Sequence, residues 1–412
     1  ARVARIFTLS GNHVMPVFDA AFGSGIELVH VRHEASTVHM ADAWSRVSGE
    51  VGIALVTGGP GHANAVAALY TAQMAEGPVV LLSGHAPNDQ LGQGAFQEMR
   101  QADMAEPVCK ASWRCASADA VAGDVAKAIR IAKSGRPGPV HLSLPSDVLE
   151  GAATVPAFGP EAFAPEPRLL DPALATELAR QLAEAERPLI LAGPSCLTRD
   201  GRALIAALEQ ATGVPVAGME SPRGIGDASL GAFAQLLARA DCVLLLGKRL
   251  DFTLKFGTAL AADAQVHQID SDADELARSR RALGERLRTE AQADAWPAMR
   301  ALTAAAAGAR DRSWLQEAHA WLAYRPAAWD DARASLPQRL HPVQMLRPLQ
   351  ALLDSHPESV LVCDGGEIGQ WAMACLSAPH RVNNGVAGAI GAGLAYALGA
   401  RGAQPAAPVI AV

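Results

Sequence analysis

The sequence predicts an α/β protein of three doubly wound parallel sheets, the third of them incomplete at residue 412. Three observations carry that expectation. Short apolar runs that are polar only at their ends recur along the chain, as buried parallel strands require. Segments with helical spacing separate them, the habit of βαβ units. Two of the strands run into glycine turns and then helices, "VGIALVTGGPGHAN" (51–64) and "SVLVCDGGEIGQ" (359–370).

The first unit, 1–151, starts with "RIFTL" and the turn "SGNH" (10–13). A strand over Gly25–His30 hands over to a helix in "VRHEASTVHMADAWSR" (31–46). Strands at 51–59, 78–85 and 138–150 follow, with a helix over 62–77 that stops at Gly77-Pro78. The prolines at 156, 160, 165, 167 and 172 mark an extended linker. The second unit, 170–302, offers strands at "PLILAGPSC", "ADCVLLLGKRLD" and "QVHQIDSD", with an amphipathic helix at "SLGAFAQLLARA". An Ala/Arg/Trp-rich helical connector covers about 303–340. The third unit, 340–412, reads as a helix over "HPVQMLRPLQALLDSH", a strand, glycine turn and helix at 359–373, a small-residue helix in "NNGVAGAIGAGLAYALGA", and an opening strand "APVIAV".

Composition narrows the function. The 412 residues carry a formal charge of −7 and no basic run, which argues against nucleic acid as a partner. No apolar stretch is long and uncharged enough for a bilayer, and no signal pattern opens the chain. Six scattered cysteines without CxxC spacing suit a reducing compartment, so the expectation is a cytoplasmic protein.

Several polar features sit at strand ends, where α/β proteins bind ligands. Glu34 lies where a strand meets a helix. "HEASTVH" misses the zinc motif HExxH because residue 37 is threonine. As a helix N-terminal carboxylate Glu34 would be an ordinary exposed group; its apolar flanks instead predict burial, a raised pKa and proton transfer. "TGGPGHAN" (57–64) nearly fits a dinucleotide fingerprint, with Asn64 in place of the last glycine, and alone reads equally well as a tight turn. "CDGGEIGQ" (363–370) offers backbone N–H groups for an anion. The loop "GHAPNDQLGQGAFQEMRQ" (84–101) carries Phe96, Gln97 and Glu98.

In this order the features resemble the thiamine-diphosphate enzymes of the acetolactate synthase type. The resemblance rests on RHE (32–34), TGGPGHAN, AFQE (95–98), GRPGPVHLSLPSDV (135–148), VHQIDSD (266–272), DGGEIGQWA (364–372) and GVAGAIGAGLAYALGA (385–400), and covers nearly the whole chain. It implies pyrimidine-binding, central and diphosphate-binding domains. It implies that Glu34 meets the aminopyrimidine N1′ and drives loss of the reactive carbon's proton. Pro60 and Asn64 would line the pyrimidine pocket, Gly366, Glu367 and Ile368 the diphosphate turn, and Gly388, Ala389 and Ile390 the rest of the cofactor, Ile390 bending it or, by composition alone, serving as ordinary core. Asn12, His13, Phe96 and Gln97 would face the substrate. No residue here matches the family's magnesium motif, which the resemblance puts beyond residue 412. Some members hold FAD or an adenine nucleotide in the central domain, near "GKRLDFTLKFG" and "IDSD". A homodimer or homotetramer with active sites between subunits follows from the same resemblance.

The expected activity is to form or cleave a C–C bond next to a carbonyl, on a 2-keto acid or related diketone. "SGNH" departs from the glycine-rich turn of acetolactate synthases. The alternatives are a lyase or decarboxylase of the 2-hydroxyacyl-CoA or oxalyl-CoA type and, from another class, a non-catalytic structural or regulatory relative. His33 has no assigned role.

Overall fold

The computed structural model describes residues 3–156, 158–306, 308 and 311–412. The chain divides into two compact units, Ala1–Glu166 with Ala389–Ala411, and Pro167–Gly388 with Val412.

The first unit holds a six-stranded parallel sheet. Its strands are β1 (Arg5–Thr8), β2 (Glu27–His30), β3 (Gly52–Val56), β4 (Val79–His85), β5 (Ser112–Arg114) and β6 (Val140–Pro145), in the order β2-β1-β3-β4-β6-β5. Every residue of β3, β4 and β6 is buried, which is why those runs read as unbroken apolar stretches. One core lies on each face. Phe7, Val38, Ala54, Leu69 and Leu81 belong to one; Val14, Leu55, Val80, Ile129 and Leu142 belong to the other.

The helix Glu34–Ser48 starts where the sequence placed it. The His33 side chain caps it, Nδ1 accepting from the Ala35 N–H at 3.2 Å. That gives His33 a structural role which the sequence left open. The small-residue helix Gly393–Ala403 lies directly on this helix. A Cβ on Gly399 would come 2.3 Å from the Met40 carbonyl oxygen, so only glycine permits the approach. Arg46 lies over the Tyr396 ring, 5.2 Å from its centroid, and forms a 3.0 Å ion pair with buried Asp42.

The second unit contains a five-stranded parallel sheet of β7 (Pro188–Ala192), β8 (Val216–Gly218), β9 (Cys242–Leu246), β10 (Gln265–Asp270) and β11 (Leu287–Gln292), in the order β11-β10-β9-β7-β8. It too has a core on each face. A third set comprises β12 (Val360–Cys363), β13 (His380–Asn383) and β14 (Val409–Ala411). β12 pairs parallel with β13, and Val412 hydrogen-bonds to Val362 and Asp364. A buried ion pair joins Glu220, just beyond β8, to Arg381 on β13.

Three expected elements change. The strand over 138–150 ends at Pro145, and Ser146–Glu150 is a helical turn. The helix over 341–356 is broken into Pro342–Leu346 and Gln350–Asp354, because Pro348 lacks an N–H and forces a 3-10 turn between them. The connector is helical over Ala295–Ala305 and Ser313–Ala323, but holds only a 3-10 turn at Ala327–Trp329 before residue 340. Five cysteines are buried and Cys375 partly so, all as free thiols. No described helix is long and apolar enough to cross a membrane.

Candidate active site

The site in the first unit is built around Thr57, the residue that follows β3. Gly11 packs so closely on it that a Cβ there would lie 2.3 Å from the Thr57 Cβ. His13, in a 3-10 turn, hydrogen-bonds through Nδ1 to the Thr57 Oγ1 at 3.2 Å. Burial lowers the His13 pKa, with the Phe96 backbone acting in the opposite sense. The His13 ring also stacks on Phe96, with 5.9 Å between centroids and 12° between planes. Phe96 is 70% exposed, an apolar ring left open at a strand end. Asn12 is exposed on the same turn. His13, far from them in sequence, is therefore brought to Phe96 and its neighbour Gln97.

The turn Gly58-Gly59 has almost no spare space. Gly59 has φ 57° and ψ −114°, a conformation L side chains rarely adopt. A Cβ there would come 2.7 Å from the Gln97 Cβ. Gln97 itself has φ 58°, so the polar loop reaches down onto the glycine in a left-handed conformation of its own. Pro60 opens the helix Pro60–Ala75, two residues earlier than the sequence pattern alone suggests, at a position where its missing N–H costs nothing.

That helix carries Asn64, whose Nδ2 donates to Glu34 Oε2 at 2.9 Å. Glu34 Oε1 has no partner among the described residues. A Cβ on Gly61 would stand 3.5 Å from it and 2.8 Å from the Thr57 Cγ2, so the glycine keeps this side of the carboxylate clear. Glu34 is half-buried within the single chain, not enclosed as its apolar flanks suggested. The arrangement is a carboxylate with one oxygen tied down and the other available.

Beneath the turn lies a polar network that the sequence reading missed. His62 Nδ1 and Ser83 Oγ are 2.9 Å apart, and the His62 and His141 rings are 4.4 Å apart. Burial pushes His62 down to about 4 and takes His141 well below the usual histidine range. Gln101 joins this network to the turn. Single histidines inside apolar runs such as "VHLSL" carry no signal that they meet. Glu98 accepts from the N–H groups of Gly92, Gly94 and Ala95, which lowers its pKa and folds the loop on itself. A cavity of about 610 Å³ is lined by this loop with His85, Gln101, Arg114 and Ser143.

In the second unit, the turn after β12 leads into the helix Gly366–Cys375. Gly366 has φ 82° with open space where a Cβ would point. A Cβ on Gly369 would collide with the Asp364 carbonyl oxygen, at 1.8 Å. Glu367 turns its side chain to Arg223, at 3.4 Å, leaving the turn's backbone open. Ile368 is 37% exposed. Gly388 has φ 66°. Ala389 and Ile390 belong to the first unit, and Ile390 is 75% exposed, which rules out the ordinary-core reading.

The fold is of the parallel-sheet α/β class, with a half-tied glutamate in the first unit and glycine turns at strand ends in both. The chain matches the family models "Thiamine pyrophosphate enzyme, N-terminal TPP binding domain" over residues 1–104 and "Thiamine pyrophosphate enzyme, central domain" over 175–301. It is 30% identical to the 2-hydroxyacyl-CoA lyase 2 of Caenorhabditis elegans, over 99% of this chain and 71% of that protein. It is also 30% identical to the acetolactate synthase large subunit of Mycobacterium tuberculosis, over 97% and 73% respectively. A 2-hydroxyacyl-CoA lyase 2 of Xenopus laevis reaches 46% over 144 residues, which is 35% of this chain and 22% of that one. The chain belongs to the thiamine pyrophosphate enzyme family. It is a thiamine-diphosphate-dependent enzyme whose chemistry forms or cleaves a C–C bond.

Proposed function

We propose that the enzyme acts on a 2-keto acid or related diketone in a carboligation of the acetolactate synthase kind, with Glu34 as its catalytic carboxylate. The observation that carries this reading is the asymmetry of Glu34: Oε2 held by Asn64, Oε1 free on a side that Gly61 keeps clear. Bound thiamine diphosphate supplies a nucleophilic carbon and an electron sink next to the substrate carbonyl. Glu34 Oε1 would hold a proton against a nitrogen of the pyrimidine ring, and Asn64 would keep the carboxylate from rotating as that proton moves. Pro60 and the turn before it would wall the pyrimidine. Open backbone N–H groups at Gly366, Glu367 and Ile368, at the start of a helix, suit a diphosphate, and Glu367 is kept from repelling it by Arg223. Gly388 and Ala389 would approach the ring, with Ile390 as an apolar prop. Asn12, His13, Phe96 and Gln97 would bound the substrate; the stacked His13–Phe96 pair offers a flat wall to a small planar acid.

Magnesium belongs to the same proposal through the family resemblance. Among the described residues no group of three or more His, Cys, Asp or Glu is placed to hold an ion. The three-domain division at 1–151, 170–302 and 340–412 belongs to it too. A flavin spectrum of the purified protein decides whether the central domain carries FAD. Ile390, Leu394 and Leu398, four residues apart, are 75%, 76% and 52% exposed, and support a homodimer or homotetramer that covers them. Leu394→Glu should shift the protein to smaller species in sedimentation velocity.

The test of function is a substrate screen of the intact protein with thiamine diphosphate and magnesium, with the products identified. A second reading, a lyase of 2-hydroxyacyl-CoA thioesters, draws on the lyase relatives and on the 46% identity in one segment. Calorimetric titration with coenzyme A separates the two, since absence of binding removes the lyase.

A further inference from the structure

Gln101 is 1% exposed and opens a short helix three residues beyond the polar loop's Glu98. All the hydrogen-bonding groups of its carboxamide are used. Oε1 accepts from the Gly59 N–H at 2.8 Å. Nε2 donates to the Gly84 carbonyl at 3.0 Å and to Ser143 Oγ at 3.1 Å. The orientation of the amide is not in doubt, because a backbone N–H can only donate and a carbonyl can only accept.

The chain of bonds continues from Ser143 Oγ to His141 Nε2 at 3.3 Å, and from His141 Nδ1 to Ser112 Oγ at 2.8 Å. Ser112 gives its own proton to the Ala102 carbonyl at 2.7 Å. Only one proton assignment satisfies every link. Ser112 must accept from His141 Nδ1–H, and burial, which takes the His141 pKa well below the usual histidine range, keeps the ring neutral with Nε2 as acceptor. Ser143 must then donate to Nε2, and its oxygen accepts from Gln101. The chain contains no spare proton, and it ends on Gly59.

Gly59 needs such an anchor. It has no side chain, lies in a conformation few residues adopt, and carries Gln97 directly above it. The helix that bears Asn64 begins at the next residue. We propose that Gln101 is the positioning residue of this active site. By fixing the Gly59 peptide it sets the start of the Pro60–Ala75 helix, hence the Asn64–Glu34 pair, and the seat of Gln97. The inference rests on the reading of Glu34 given above.

The test compares Gln101→Leu and Gln101→Glu in the intact protein with thiamine diphosphate and magnesium. Leucine keeps the volume and removes every hydrogen bond. Its kcat should fall about 10- to 100-fold with KM for the keto acid little changed, the size expected when a reacting group is displaced by about an ångström. Calorimetry should show weaker binding of thiamine diphosphate. Glutamate keeps the acceptor for Gly59 and, when ionised, loses both donors. Its kcat relative to the parent enzyme at the same pH should therefore rise as pH falls and the carboxyl gains a proton to give; a purely packing role would leave that ratio flat. Wild-type kcat and cofactor affinity in Gln101→Leu overturn the proposal. So does a parental pH profile in Gln101→Glu, whether or not the leucine variant folds. Glu34→Gln is run alongside. If it is fully active, the reading of Glu34 falls and the positioning role with it. If it is inactive while both Gln101 variants behave as parent, only the positioning role falls.

Discussion

The two glycine turns, one after β3 and one after β12, share a local plan and differ in how they are held. Both leave a buried strand, turn through glycines and start a helix. The turn at Gly58-Gly59 is packed by side chains: Gln97 above, Thr57 beside Gly61, Gln101 bonded to Gly59. At the turn after β12 a tight contact is backbone, Gly369 against the Asp364 carbonyl, and the space over Gly366 is open. Similar sequence patterns have thus been packed in opposite ways. One turn is filled by the protein; over Gly366 in the other the space is open.

The sharpest way to break this contrast is Glu34→Gln, which alters the carboxylate that Asn64, on the helix after the first turn, holds. Turnover dependent on thiamine diphosphate should fall by about 10²- to 10⁴-fold, the range for loss of a proton-transfer group, while the melting temperature hardly moves. Unchanged turnover would mean that the first turn does not serve catalysis.

Next come the glycines themselves. Gly59→Ala should cost about 3 kcal/mol, since backbone strain and a clash with Gln97 add. Gly366→Ala meets nothing within 4 Å and should cost only the left-handed strain, about 1 kcal/mol. Urea denaturation of the two variants gives the ratio, and equal losses would erase the distinction between the turns.

Acid should strike the first turn. His62 beneath it is held neutral, with a folded-state pKa of about 4 against 6.5 when unfolded. The unfolded chain therefore binds the proton first. Stability is complete above about 6.5 and drains as pH falls from there to about 4, by on the order of 3 kcal/mol for a shift of this size. His267 on β10 behaves the same way, so His62→Gln should remove only part of the loss between pH 7 and 5 in thermal melts.

The smallest effect belongs to the open turn. Arg223→Ala breaks an exposed pair with Glu367, and stability should change by less than about 1 kcal/mol. If Arg223 shields a bound diphosphate from Glu367, cofactor affinity should fall several-fold, a loss that high salt reduces.

Much of this was legible in the sequence because it depends on runs and spacing. Buried parallel strands announce themselves by length and apolarity, and Glu34, Asn64 and the two turns sit at their ends. What stayed hidden depends on register between distant segments. His62 and His141 each look like single polar residues in apolar surroundings; they meet because the helix Pro60–Ala75 sets His62 on Ser83 of β4, and β4 lies beside β6, which carries His141. Gln101 looks like a loop residue, and its three partners come from three separate stretches. The break at Pro348 was visible and outweighed by helical spacing on both sides of it. Glu34 was expected to be dry because its flanks are apolar, but the single chain leaves it half-buried.

The seating of Gly399 on Met40 also bears on how the protein acquires its structure. The helix that carries Glu34 is covered by the helix Gly393–Ala403, far downstream in the sequence. During synthesis the sheet of the first unit emerges long before the helix that covers it does, and closing so long a loop is slow. Until then the face around Met40 and Tyr396's future seat stands open. That makes a nascent chain the form most exposed to misassembly, and one that chaperones would meet.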